Sequence, residues 1–350
     1  MAGPPAGTAL RRELWLWCGL HRTATTSLQL SCAAHRAGLL QRGVRFPLYT
    51  FGPWAGCSNH SMLLVNAFSQ RPEGYHMNPR FGLDPHAAQV QMRQQLRAVV
   101  DATPPQDTLL LVAEDVSLMT LPELEALAAW FDGAGLVCRP WLVQREPLAL
   151  WESHLSQRVL SGQTLAQAWD WLASLPSPSQ RQRRLERVFG RLQVLDFSQA
   201  CSHPQGPVGH YLQALGLAGV EAWPLVQANR SPSELALRLL SELNEQLPPL
   251  LPLQAGCALE GPWRPHPQRR PGDQEGLVRA LAGPALRLRG RDSAALLADR
   301  SWLGRVTAAQ WQALHRWSQA PTKTALKLWL QGWLRSRQGD EERTSGDVFD

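Results

Sequence analysis

Five apolar residues, Leu14-Trp15-Leu16-Trp17-Cys18, stop at Gly19 and give way to a polar run, His21 to Ser27. That run opens a segment with Leu28, Cys32 and His35 on one helical face, closed by Gly38. A buried strand, a short polar loop and an amphipathic helix make the opening unit of an α/β fold. The same alternation returns downstream. Residues 86–100 read as a helix stopped by Pro104 and Pro105, and 108–113 as a strand ending at Glu114-Asp115. Residues 122–134 read as a helix with a leading proline and two early glutamates, which suit its positive end. A strand follows over 136–143, with Pro140 inside it, then helices at 147–160, 164–175 and 179–189 and a strand at 191–197. Strands alternating with helices predict a mostly parallel sheet between helical layers. Such sheets bind ligands outside the C-terminal ends of their strands. His21 to Ser27, Glu114-Asp115 and Gln144-Arg145 fall at those ends.

Three regions stand apart. Residues 41–85 are rich in Gly, Pro, Asn and aromatics, with a helix expected only near 61–68. Residues 231–246 form a helix opened by Ser231-Pro232, and 247–271 are proline-rich and irregular. Residues 287–338 are mainly helical, with Trp302, Trp311, Trp317, Trp329 and Trp333 as expected core bulk. The expected division is an α/β domain over 13–245, a proline-rich segment and helical extension over 246–338, and an acidic mobile tail over 339–350.

Composition excludes several classes. A 44% hydrophobic content over 350 residues rules out a disordered chain. Six scattered cysteines with no C-x-x-C pair argue against a disulfide scaffold or a compact metal site, and for a reducing, cytoplasmic setting. No run approaches the 18 apolar residues of a membrane span. The stretch Leu14–Leu20 after Arg11-Arg12 is too short for a signal peptide and lacks a small-residue cleavage site. The net charge of +6 is carried by arginine, since Lys323 and Lys327 are the only lysines. No nucleic-acid-binding motif accompanies it. The Arg181–Arg187 run reads as a solvated helix face.

The segment Gly19-Leu20-His21-Arg22-Thr23-Ala24-Thr25-Thr26-Ser27 combines a helix N-terminus, hydroxyl donors and a cation, which together suit phosphate. It is not a Walker A loop, because GxxxxGK[ST] is absent. It resembles the 5′-phosphosulfate loop of the PAPS-dependent sulfotransferase superfamily, in particular bacterial sulfotransferase-like proteins with H-K-T-G-T-T-S-L-Q. His21, Thr23, Thr25, Thr26, Ser27, Leu28 and Gln29 match. Arg22 stands in place of lysine and Ala24 in place of glycine. Arg145 and Ser153 are spaced like the arginine and serine that bind the nucleotide 3′-phosphate in the family, and Ser156 to Gly162 continue in the bacterial manner. Leu110 to Ser117 resembles a strand ending in S-E-x-x-S, and Asn229-Arg230-Ser231 gives a softer match.

The resemblance implies a P-loop-containing three-layer α/β fold with a central, mostly parallel sheet and a helical C-terminal extension. It implies sulfuryl transfer from PAPS (3′-phosphoadenosine 5′-phosphosulfate) to a hydroxyl or amine, without a metal. Arg22, Thr23, Ala24, Thr25, Thr26, Ser27, Arg145 and Ser153 would hold the donor. Arg22 would stabilise the leaving phosphate, and Glu114 would be the general base, with His60 and His76 as alternatives. His21 would orient the loop or touch the acceptor, which is a small molecule, carbohydrate, lipid or protein tyrosine. The departures at Arg22 and Ala24 motivate an alternative, a catalytically inactive nucleotide-binding or interaction protein on the same fold.

Overall fold

The computed structural model describes residues 12–217, 219, 222–228, 231–246, 271–288, 293–321 and 325–346. In chain order the strands are β1 (Arg12–Trp17), β2 (Val44–Arg45), β3 (Tyr49–Phe51), β4 (Trp54–Cys57), β5 (Thr108–Val112), β6 (Leu136–Gln144) and β7 (Gln193–Asp196). The helices begin with α1 (Thr25–Ala34), α2 (Arg36–Leu40), α3 (His60–Phe68), α4 (Met77–Arg80), α5 (Pro85–Asp101) and α6 (Leu121–Gly133). They continue with α7 (Pro147–Leu160), α8 (Leu165–Ala173), α9 (Pro178–Phe189), α10 (Phe197–Cys201) and α11 (Gly206–Ala214). The last are α12 (Glu234–Gln246), α13 (Pro271–Ala280), α14 (Ser293–Ala298), α15 (Ala308–Ser318) and α16 (Ala325–Gly346).

The chain divides into two compact units. Among the described residues the first comprises those within 12–147 and 176–228, and the second those within 148–175, 231–246 and 271–346. The helices 148–175 and 231–246, which the sequence assigns to the α/β part, thus group with the C-terminal helices. Sequence patterns show where helices are, but not which apolar faces they share.

The first unit holds a five-stranded parallel sheet in the order β2-β5-β1-β6-β7. β1 is central, with Leu16 opposite Leu111 on one side and Pro140 on the other. Leu14, Leu16, Leu109 and Leu111 are fully buried, as expected for a strand covered on both faces. On one face Trp17, Leu110, Val112 and Val143 pack with Leu28 and Cys32 of α1 and Val208, Tyr211 and Leu212 of α11. Over the other, α3 packs on β5 and α6 on β6. Helices on both faces of a parallel sheet make a three-layer α/β architecture. Pro140 is tolerated because the Trp141 carbonyl faces β1, accepting from the Cys18 N–H at 2.8 Å. By strand alternation the Pro140 nitrogen therefore faces the β7 side. There β7 pairing begins only at Trp141.

Two expectations need correcting. The 41–85 segment, where the sequence points only to a short helix near 61–68, also holds strands: β2 adds a fifth strand to the sheet, and β3 and β4 form an antiparallel hairpin. Gly52 turns that hairpin with a φ of 57°. The 339–350 tail is not a loose end as far as Gly346, because α16 continues through it.

The second unit is helical. Leu155, Val159, Leu172, Leu237, Leu240 and Leu330 belong to its core. Trp302 is buried within that core, whereas Trp311, Trp317, Trp329 and Trp333 pack against it while partly exposed. The buried Arg238 guanidinium pairs with Glu234 at 3.1 Å and Asp299 at 3.7 Å. Among the described residues no helix is long and apolar enough to cross a membrane.

Candidate functional site

The loop after β1 is held from several sides. The Thr23 hydroxyl, fully buried, donates to the Leu20 carbonyl at 2.5 Å. The Tyr211 hydroxyl of α11 donates to the Thr23 carbonyl at 2.9 Å. Arg145, just past the end of β6, donates through Nη1 to the Arg22 carbonyl at 2.7 Å. Between these anchors the backbone takes left-handed angles at Arg22 (φ 67°) and Ala24 (φ 60°). Helix α1 begins immediately afterwards, and its first backbone bond runs from the Leu28 N–H to the Ala24 carbonyl. The N–H groups of Thr25, Thr26 and Ser27 therefore have no carbonyl within their own helix. The Thr25 hydroxyl is buried without a hydrogen-bond partner. Ser27 Oγ accepts from the Ala228 N–H at 3.0 Å, and Thr26 is half-buried.

Two cations meet here. Burial, and then the charge of Arg145, pull the Arg22 guanidinium down to about 10. Arg145 also lies over the Phe197 ring, 4.9 Å from its centroid. Arg145 on the Arg22 carbonyl, its charge acting on the Arg22 guanidinium, stands beside helix N–H groups and an unpaired hydroxyl, a set of groups whose chemistry suits an anion.

An acidic cluster stands opposite, at the end of β5. Asp115 bonds His21 Nε2 at 2.5 Å and accepts from the Tyr75 hydroxyl at 2.8 Å, and its own N–H donates to Ser61 Oγ at 3.1 Å. Burial pulls the His21 ring down, but the Asp115 hydrogen bond and charge outweigh it, and the net shift is upward. Asp115 moves the opposite way: burial raises it, while His21 draws it below the usual carboxylate range. Glu114 accepts from Gln29 Nε2 of α1 at 3.1 Å. Burial, and then the Asp115 charge, push Glu114 up to about 7. A carboxyl poised near neutrality suits a general base at neutral pH.

His60 is corrected as a catalytic candidate. It is fully buried, with Nε2 donating to the Pro47 carbonyl and Nδ1 accepting from the Val112 N–H, both at 2.9 Å. Both ring nitrogens serve the backbone, so neither is available to an acceptor. His76 stands nearer the site: its charge acts on Asp115, and its ring lies 5.2 Å from Tyr75. Ser153 is buried on α7 in the second unit. Asn229 and Arg230 lie outside the described residues. Among the sequence-predicted residues, His21, Arg22, Thr23, Ala24, Thr25, Thr26, Ser27, Glu114 and Arg145 all belong to the first unit, around the loop or the β5 end.

Asp115 is named in the sequence only as a strand-end neighbour, and Tyr75 and Tyr211 are not anticipated at all. Their contacts cross 40 or more residues: Asp115 to His21 (94 apart), Tyr75 to Asp115 (40 apart) and Tyr211 to Thr23 (188 apart). No local pattern carries such contacts.

A non-glycine residue in the left-handed region costs about 1–2 kcal/mol. Ala24→Gly is therefore expected to stabilise the first unit by about 1 kcal/mol, read as a rise in the chemical-unfolding midpoint with unchanged slope.

No family model matches the chain, and no curated protein matches it. A solved structure, the sulfotransferase domain from the curacin biosynthetic pathway, aligns over 94% of this chain and 99% of its own, with 13% identity and a TM-score of 0.33. A likeness this distant settles no activity.

Proposed function

We propose that the first unit binds PAPS and transfers its sulfuryl group to a hydroxyl or amine of an acceptor. The observation that carries this reading is the meeting of Arg22 and Arg145 at the N-terminus of α1, beside the unpartnered Thr25 hydroxyl. The residues fit the donor. The N–H groups of Thr25 to Ser27 and the Thr25 hydroxyl would take its 5′-phosphosulfate, and Arg145 its 3′-phosphate. The donor supplies an activated sulfuryl group.

The chain's own residues then divide the work. Arg22 offsets the negative charge that gathers on the leaving phosphate, a contribution typically near 3 kcal/mol, or 10²–10³ in rate. Glu114, near neutrality, takes the proton that the acceptor loses. Asp115 fixes the His21 ring and so braces the loop against β5. Glu114→Gln is expected to lower turnover by 10²–10⁴ while leaving nucleotide affinity within twofold. Sulfate transfer scored over a panel of hydroxyl and amine acceptors checks this, and unchanged turnover would remove Glu114 as base.

Calorimetry with adenosine 3′,5′-bisphosphate against ATP tests the reading itself. The bisphosphate should bind at least tenfold more tightly, and a preference for ATP would overturn the proposal. A second reading, binding without transfer, is favoured by Ala24, whose strained φ of 60° falls where the resembling loops carry glycine. Bisphosphate binding with no transfer to any acceptor of the panel would select it.

A further inference from the structure

The basic run of α9 is not a solvated face throughout. A capping box at Ser177 and Gln180 and Pro178 in the first turn start the helix, and the residues it buries are Arg181 and Leu185, four apart. That face packs toward α6, β6 and the turn Glu114–Leu118. Arg181 is only 2% exposed. Its Nε donates to the Pro176 carbonyl at 3.0 Å, and its Nη1 is buried with no hydrogen-bond partner. Among the described residues no carboxylate forms an ion pair with it.

Its surroundings do not supply the missing charge. Its charge acts on Arg184 and on the His21 ring, both basic groups. Arg184 is committed, donating through Nη1 to the Met119 carbonyl at 2.9 Å. His21 is committed to Asp115. Arg181 is thus a buried guanidinium with a spare Nη1 donor and, among the described residues, no carboxylate partner, and its charge reaches the His21 ring of the candidate site. Burying a cation without a partner is strongly unfavourable, so the arrangement is explained if an anion supplies the missing charge. Arg22 and Arg145 already account for the two anionic ends of the donor, which leaves Arg181 over.

We propose that Arg181 anchors an acceptor subsite, and that the acceptor carries an anionic group, either a carboxylate or a phosphate or sulfate ester. The acceptor role rests on the sulfuryl-transfer reading; the anion site itself does not. This narrows the acceptor to an anionic hydroxy or amino compound, and it sets Arg181 apart from the structural Arg184.

Inorganic phosphate is the probe. With the wild-type chain saturated in adenosine 3′,5′-bisphosphate, phosphate titrated by calorimetry should still bind. Arg181→Gln should weaken that binding at least tenfold, Arg181→Lys should keep most of it, and both should bind the bisphosphate within twofold of wild type. If Arg181→Gln does not fold, the Lys variant and the phosphate-dependent rise of the wild-type melting midpoint carry the comparison. Absence of phosphate binding to the wild type, or equal binding to Arg181→Gln, would overturn the proposal. A second arm uses Arg145→Ala without nucleotide. Phosphate binding that survives there, and is lost on adding Arg181→Gln, upholds the anion site even if the bisphosphate never binds. In that case the transfer reading alone falls.

Discussion

Arg145→Ala is expected to weaken binding of adenosine 3′,5′-bisphosphate at least tenfold, about 1.4 kcal/mol. The side chain acts twice. Its guanidinium is one of the two charges facing the proposed phosphates, and the same group holds the Arg22 carbonyl at 2.7 Å. Removing it deletes a cation and also frees a loop whose left-handed residues Arg22 and Ala24 need external support. Lysine restores the charge without the planar fork, so Arg145→Lys should recover only part of the loss. Phe197, beneath the guanidinium, would lose its cationic neighbour as well. Calorimetry on the two variants separates charge from geometry. An unchanged dissociation constant for the alanine variant would take Arg145 out of the site.

His60→Ala should destabilise the first unit by about 4 kcal/mol, and the loss would be structural. The substitution strands the Val112 N–H and the Pro47 carbonyl in the interior, at about 1–3 kcal/mol for each unsatisfied group. It also opens a cavity where an aromatic ring packs on Phe46. Chemical denaturation of the full chain measures it, and a loss below about 1 kcal/mol would contradict the bridging role. The same ring gives an acid signature. Burial pulls its pKa from 6.5 down to about 4, against the weaker pull of its two backbone bonds. The neutral ring is therefore favoured in the fold. Its contribution is complete above pH 6.5 and is lost as the pH falls toward 4, at up to ~1.4 kcal/mol per pH unit. A stability profile flat across that window would argue against a buried neutral His60.

The sequence carries the fold where signals are local. The run from Leu14 to Cys18 and its hand-over at Gly19 place the central strand and the loop, because apolar runs and helix starts are short-range patterns. Arg22 and Arg145 are legible for the same reason, since strand-end position alone brings them to one edge of a parallel sheet. β2 is not legible: two residues, Val44 and Arg45, carry no periodicity, and only pairing with β5 makes them a strand. His60 shows the limit differently. A histidine in a polar segment looks reactive until the backbone on both sides of it is known. Arg181 fails in the opposite sense, because an arginine in a basic helix looks solvated until the helix is packed. The unit boundaries are equally hidden, since α7 and α8 carry apolar faces that fit either partner equally well by sequence.

That division has a bearing on how the chain is made. Ser31 Oγ and Ser27 Oγ of α1 accept from the N–H groups of Val226 and Ala228. The loop is thus finished by a segment synthesised some two hundred residues after it. At about 5–20 residues per second, the start of α1 waits on the order of 10–40 s for that segment to emerge. During the wait α7 and α8 emerge without α12 to cover them. Both units must therefore hold exposed apolar helices on the ribosome at the same time. Synthesis rate and chaperone supply should therefore bear on how much folded chain a cell recovers.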